Sequence, residues 1–233
     1  MSKWLASVQS FEEAQTLLPV LPDILDMKDP AQGALGALSV DIVSQIVSLV
    51  DGKCQTSATI GDLPMQADII GAAMISMADS GVDYVKIGLF PNENLTECIN
   101  ELSNTVKLLK IPVIAVIFAD NMPNIDYVPL LKSSGFAGVM VDTAFKNGQG
   151  LLDHWDLAQL NYFIEVSQQH KMLCGLAGAL RIEDIEQLKP LQADYIGFRS
   201  ALCQQHKRTT QLQVSLARKI QQAISMPKLF EEA

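Results

Sequence analysis

Cysteine is sparse and scattered: Cys54, Cys98, Cys174 and Cys203 form no C-x-x-C pair, which argues against both a zinc site and a disulfide framework. A reducing cytoplasm is therefore the expected setting. Histidine is scarcer still, with His154, His170 and His206 far apart, so a metal cage would need a carboxylate cluster that the sequence does not display. Neither a metal nor another cofactor is expected. No run approaches the roughly 18 apolar residues of a membrane span, and the N-terminal M-S-K-W-L-A-S lacks a long apolar core with a cleavage site, so no membrane is expected as a partner. Positive charge is in deficit, with a net charge of −9. Phosphate backbones demand a positive face, so nucleic acid is not an expected partner either, and any anionic ligand must be held by local cations. Linkers and low-complexity tracts are missing too, and 48% hydrophobic content is enough to bury a core. A single domain over residues 1–233 is expected.

What is present is a regular alternation of short apolar runs with longer amphipathic ones, the pattern of βα units around a parallel sheet. Strands are predicted near Trp4–Val8, Ile24–Met27, Thr56–Thr59, Tyr84–Ile87, Pro112–Phe118, Gly138–Val141, Leu173–Leu176 and Tyr195–Phe198, each followed by a helical pattern, with the last helix ending near Met226-Pro227. Eight such units in about 230 residues suit an α/β (β/α)₈ barrel of the TIM type.

The stretch from Asp23 to Ala37 carries Asp26 and Lys28 in an apolar strand before a glycine-rich turn. Side chains two apart on a strand point the same way, so carboxylate and amine share a face while Leu25 and Met27 take the other. A lysine held near acid and apolar walls at a strand end suits Schiff-base chemistry, which needs a neutral amine to attack a carbonyl. A solvated ion pair would explain these two residues equally well.

An internal echo favours the chemical reading. Segments starting at Asp23, Asp83, Ala137 and Asp194 align as predicted strands 2, 4, 6 and 8, and beyond the first position every charge falls at the fourth place (Asp26, Lys86) or the sixth (Lys28, Asp142, Arg199). Unrelated surface charges would scatter over both parities. These five residues should converge at the C-terminal end of the barrel, where such folds place their chemistry.

Lys28, Lys86 and Lys146 follow strands 2, 4 and 6, and crowding near Asp26 and Asp142 would depress at least one amine pKa. Lys146 lies in a loop four residues beyond Asp142 and reads equally as a surface residue. For phosphate, Ala177-Gly178-Ala179 and Gly197-Phe198-Arg199-Ser200 follow strands 7 and 8, where barrels bind phosphate through backbone amides, with Arg199 adding a cation. Tight turns would also explain these glycines. Ser57 and Thr59 offer further polar contacts to a substrate, whereas Asp62 reads equally as a helix cap.

The segments Asp26-Met27-Lys28-Asp29-Pro30, Gly33-Ala34-Leu35-Gly36-Ala37, Ser57-Ala58-Thr59-Ile60-Gly61-Asp62, Asp83 to Leu89, Asp142 to Gly148, Leu176-Ala177-Gly178 and Gly197-Phe198-Arg199 together resemble the (5-formylfuran-3-yl)methyl phosphate synthase family. The resemblance spans strands 2 to 8. It implies a TIM-barrel lyase of the carbon–oxygen class that condenses two molecules of glyceraldehyde 3-phosphate, with loss of phosphate and water, into 4-(hydroxymethyl)-2-furancarboxaldehyde phosphate, the furan precursor of methanofuran and related one-carbon carriers. It further implies Lys28 as the Schiff-base lysine and Lys86 as the proton acceptor, with Asp26, Asp142 and Lys146 in support. Ala179, Ser200 and the stretch Gln204 to His206 depart from the family pattern at positions that touch phosphate grip. Two alternatives stay open on the residues alone: a class I aldolase of another phosphosugar, or a noncatalytic phosphosugar-binding barrel. A homo-oligomer is left open as well.

Overall fold

Continuous runs of β-branched and apolar residues make strands that must be covered on both faces. Val113–Phe118, V-I-A-V-I-F, is the clearest case, with all six residues buried. The computed structural model describes residues 2–121, 125–145 and 147–226. Its strands are β1 (Lys3–Val8), β2 (Ile24–Met27), β3 (Gln55–Thr59), β4 (Tyr84–Gly88), β5 (Val113–Phe118), β6 (Gly138–Asp142), β7 (Leu173–Leu176) and β8 (Tyr195–Phe198). All neighbours pair in parallel, and β8 returns to β1 with Leu5 opposite Gly197, closing the barrel. The predicted (β/α)₈ barrel is thus the observed fold, with strand ends differing from the prediction by a residue or two.

The helices are α1 (Phe11–Leu17), α2 (Val40–Val50), α3 (Ala67–Ala78), α4 (Leu95–Leu108), α5 (Tyr127–Ser133), α6 (Leu151–His154), α7 (Leu157–Gln169), α8 (Ile185–Leu188) and α9 (Val214–Ser225). Their limits are written in local chemistry. Ser39 caps α2 by accepting from the Ile42 amide, Val43, Ile46 and Val50 bury one stripe, and left-handed Asp51 ends the helix. At α7, Asp156 accepts from the Gln159 amide while the Gln159 side chain accepts from the Asp156 amide.

Strand parity divides the interior in two. One set of side chains, including Leu25, Met27, Val85, Ile87, Val139 and Val141, packs against the helices. The other set enters the lumen, where Leu5, Ile24, Ile114, Val116, Phe118, Met140 and Tyr195 form a second apolar cluster. Burying each such side chain contributes about 1.5–3 kcal/mol. Gly175 makes room for Tyr195, because a Cβ there would sit 2.3 Å from the tyrosine ring. The lumen is apolar and aromatic toward the N-terminal ends of the strands and charged toward their C-terminal ends. Among the described residues no helix is long and apolar enough to cross a membrane.

Candidate active site

Register sets the first contacts. Asp26 on β2 lies opposite Ser7 on β1 and Ser57 on β3, and both hydroxyls donate to its carboxylate, Ser7 Oγ at 2.9 Å and Ser57 Oγ at 2.6 Å. Lys86 on β4 reaches across the lumen to Asp26 Oδ1 with its Nζ at 2.7 Å. Just beyond β2, Lys28 places its Nζ 3.5 Å from Asp142 Oδ2 at the end of β6, and Asp142 Oδ1 accepts from the Thr143 amide at 2.7 Å. Partners are therefore exchanged relative to the sequence pattern: Asp26 pairs with Lys86, not with Lys28. Residues two apart on an extended strand share a face but stand roughly 6.6 Å apart along it, whereas side chains crossing the lumen meet directly.

Burial gives these pairs their electrostatic character. Asp26 is fully buried, Lys86 is 2% exposed and Lys28, nearer the mouth, 7%. Burial opposes ionisation of Asp26, but the ammonium groups of Lys86 and Lys28 outweigh it and hold its carboxyl below the usual range. Burial, together with the nearby Lys28 charge, draws the Lys86 amine below the ordinary lysine range even though Asp26 pulls the other way.

All four groups open onto one cavity of about 450 Å³ at the C-terminal end of the barrel. The predicted convergence of Asp26, Lys28, Lys86, Asp142 and Arg199 is met, since all five line it, together with Ala177, Gly178, Ala179, Gly197 and Ser200. Lys28, Lys86, Arg181, Arg199, Lys207 and Arg208 give the cavity a cationic wall against the carboxylates of Asp26 and Asp142. On a chain of net charge −9 this local excess favours an anionic ligand.

A model of the 4-HFC-P synthase family matches residues 4–221. The chain belongs to that family. It is 32% identical over 227 residues to a (5-formylfuran-3-yl)methyl phosphate synthase of Methanococcus maripaludis, covering 93% of this chain and 96% of the relative. To the protein of that name from Archaeoglobus fulgidus it is 31% identical over 234 residues, covering 95% and 99%. Among solved structures, phosphoribosyl anthranilate isomerase from Thermotoga maritima superposes with a TM-score of 0.69 at 11% identity, over 96% of this chain and 98% of that one, a likeness of fold. Membership makes the cavity of this 4-HFC-P synthase family protein the place to look for enzyme chemistry.

Not every residue expected to contact substrate is free to do so. Ser57 spends its hydroxyl on Asp26. Thr59 donates to the carbonyls of Met27 and Gly36, at 3.4 and 2.9 Å, and does not line the cavity; both are inward-facing on β3, but their hydroxyls are claimed by neighbouring strand and turn. Asp62 accepts from the Ala34 and Leu35 amides and so pins the turn after β2 instead of capping a helix. Arg199 is clasped by Glu13 of α1, with Nη2 to Oε1 at 3.1 Å, and donates further to the Ser7 and Arg208 carbonyls. Its charge is largely answered within the protein. Lys146 lies outside the described residues.

Five participants were missed in the sequence, among them Lys207, which lines the cavity from the loop after β8. Ser7 shares the inward parity of β1, a signal that was available. Glu13, buried on α1, and Arg208, which donates to the Pro30 and Gly33 carbonyls and so ties the loop after β8 to the turn after β2, depend on contacts more than a hundred residues apart. Arg181 enters the cavity from the loop after β7.

Proposed function

We propose that this 4-HFC-P synthase family protein condenses two molecules of glyceraldehyde 3-phosphate into 4-(hydroxymethyl)-2-furancarboxaldehyde phosphate, serving the biosynthesis of methanofuran-type cofactors. The observation that carries this reading is the buried set of two crossed lysine–carboxylate pairs, Lys28 with Asp142 and Lys86 with Asp26, at the base of one cation-walled cavity. Six carbons enter and six leave, and the loss of one phosphate and two waters balances the reaction.

Lys28, nearer the mouth and held loosely at 3.5 Å by Asp142, is the group we assign to attack the aldehyde. Its nitrogen bonds to the carbonyl carbon, water leaves, and the cationic imine then accepts the electron pair released when the neighbouring carbon loses its proton. The resulting enamine can expel phosphate from the next carbon or add to a second aldehyde. Lys86, its amine pKa lowered by burial, is suited to take up and return protons, with Asp26 compensating its charge. Arg181 and Lys207, with backbone amides of the Gly178 and Gly197 loops, are the groups we assign to phosphate.

The lowered pKa of Lys86 favours a second reading in which Lys86 forms the imine and Lys28 moves protons, since a neutral amine is the nucleophile. Borohydride reduction during incubation with glyceraldehyde 3-phosphate, followed by peptide mapping and product mass analysis, separates the two. Adduct at Lys28 with furan product supports the assignment; adduct at Lys86 alone reverses the roles; turnover with no adduct removes the imine.

A further inference from the structure

A second cavity enters the barrel from the opposite end. It measures about 230 Å³ and is lined by Lys3, Ile24, Gln55, Tyr84, Leu173 and Tyr195, which are the first residues of β1, β2, β3, β4, β7 and β8. Beyond these first residues Ser57 and Lys86 line it beside the apolar Leu5 and Ile114. Lys86 thus borders both cavities, the one at the C-terminal end and this one beneath it. The volume has room for several waters, and polar groups are at hand to hold them: Gln55 Nε2 donates to the Tyr84 hydroxyl at 3.0 Å, and the Ser57 hydroxyl faces Asp26 at 2.6 Å. Among the apolar side chains of this end, the amide of Gln55, the phenols of Tyr84 and Tyr195 and the hydroxyl of Ser57 are polar groups that a purely apolar plug would not carry.

We infer that the cavity at the N-terminal end is a proton path, through which the Lys86–Asp26 pair exchanges protons with solvent while substrate fills the C-terminal cavity. The inference rests on the reading of Lys86 as the proton-transfer lysine. The observed donor direction suits inward delivery. A solvent proton binds Ser57 Oγ as the Ser57 hydroxyl proton passes to Asp26 Oδ1, and Asp26 in turn gives a proton to neutral Lys86 Nζ. One O–H bond forms and breaks at each oxygen, and the net change is one proton gained by the amine and one lost by solvent. The reverse sequence discharges a proton taken from substrate carbon. A reaction that expels two waters and a phosphate moves protons on and off the Lys86–Asp26 pair several times per turnover, and this path connects the pair to solvent while bound triose phosphates cover Lys86 from above.

The test uses the whole protein in deuterium oxide. Mass spectrometry of recovered glyceraldehyde 3-phosphate, against a blank without protein, reads how often the proton next to the aldehyde is replaced from solvent. Leu173→Trp, at the partly exposed mouth, and Ile24→Phe, deeper in, narrow the path without touching the C-terminal cavity. Each should lower exchange by about ten-fold with KM unchanged. Ser57→Ala keeps the path open but removes the relay hydroxyl, and should lower exchange as well. Circular dichroism identifies the variants that fold, and Leu173→Trp, on the surface, keeps the test available if Ile24→Phe does not. Exchange that is absent from the unmodified protein, or unchanged in the folded variants, overturns the inference. Exchange that responds as expected without furan product leaves the path standing and overturns the proposed reaction instead.

Discussion

Replacing Asp26 by asparagine keeps the shape of the side chain and removes its charge, and the surroundings define what that must cost. In the native lumen the carboxylate accepts from Ser7 Oγ, Ser57 Oγ and Lys86 Nζ at 2.9, 2.6 and 2.7 Å, with no exposure to solvent. Asparagine can accept from a hydroxyl but leaves the buried Lys86 ammonium without a counter-charge. Breaking a buried pair in this way costs about 3–5 kcal/mol. For a chain of this length that corresponds to a fall in Tm on the order of 10 °C. The double variant Asp26→Asn/Lys86→Met removes both charges and should recover a large part of the loss, so the single effects will not add. The pH dependence carries a sign. Asp26 has a lowered pKa in the folded protein, so its contribution is present above the ordinary carboxylate value of about 3.9 and disappears as pH falls through the folded value. Lys86 is also lowered, so below the ordinary lysine value of about 10.4 the unfolded chain binds the extra proton, and stability rises with pH across that window. Without Asp26 the Lys86 pKa drops further, and the deficit of Asp26→Asn should shrink as pH rises. Urea unfolding from pH 5 to pH 9 measures all of this. A deficit under about 1 kcal/mol at pH 7, or one independent of pH, would refute the claim that Asp26 and Lys86 form a charged buried pair.

Lys28→Ala should abolish both borohydride-trapped adduct and product, while Lys86→Ala should retain adduct and lose about 10²–10⁴-fold in kcat, the usual contribution of a positioned acid or base; peptide mapping and steady-state kinetics decide. Arg199→Ala strands the Glu13 carboxylate and should destabilise the protein by about 3 kcal/mol, whereas Arg181→Ala should raise KM with little change in Tm; the opposite pattern in thermal melts and kinetics would return the phosphate to Arg199. Gly175→Ala should cost about 1–3 kcal/mol in urea unfolding, because the new methyl meets the Tyr195 ring and the buried ring must shift to admit it; a neutral result would mean that Tyr195 moves freely into the cavity it lines.

Amino-acid order by itself determined the barrel, the inward set of charges and the family. Strand parity is local: Asp26, Lys86, Lys28, Asp142 and Arg199 recur at matching places in repeated βα units, and a period of two sends them to one side whatever the neighbouring strands do. Partner choice is not local. That Asp26 bonds Lys86 and Lys28 faces Asp142 depends on which side chains meet across the lumen, a consequence of strand stagger that no single segment encodes. The same holds for Ser57 and Thr59, whose hydroxyls are taken by Asp26 and by the Met27 and Gly36 carbonyls, and for Arg199, whose charge is answered by a glutamate from the first helix. Polarity along a strand reveals which face a residue takes. Whether its polar atom remains available for substrate is decided by what the closed barrel brings within about 3 Å, and there proximity in space is unrelated to proximity in the chain.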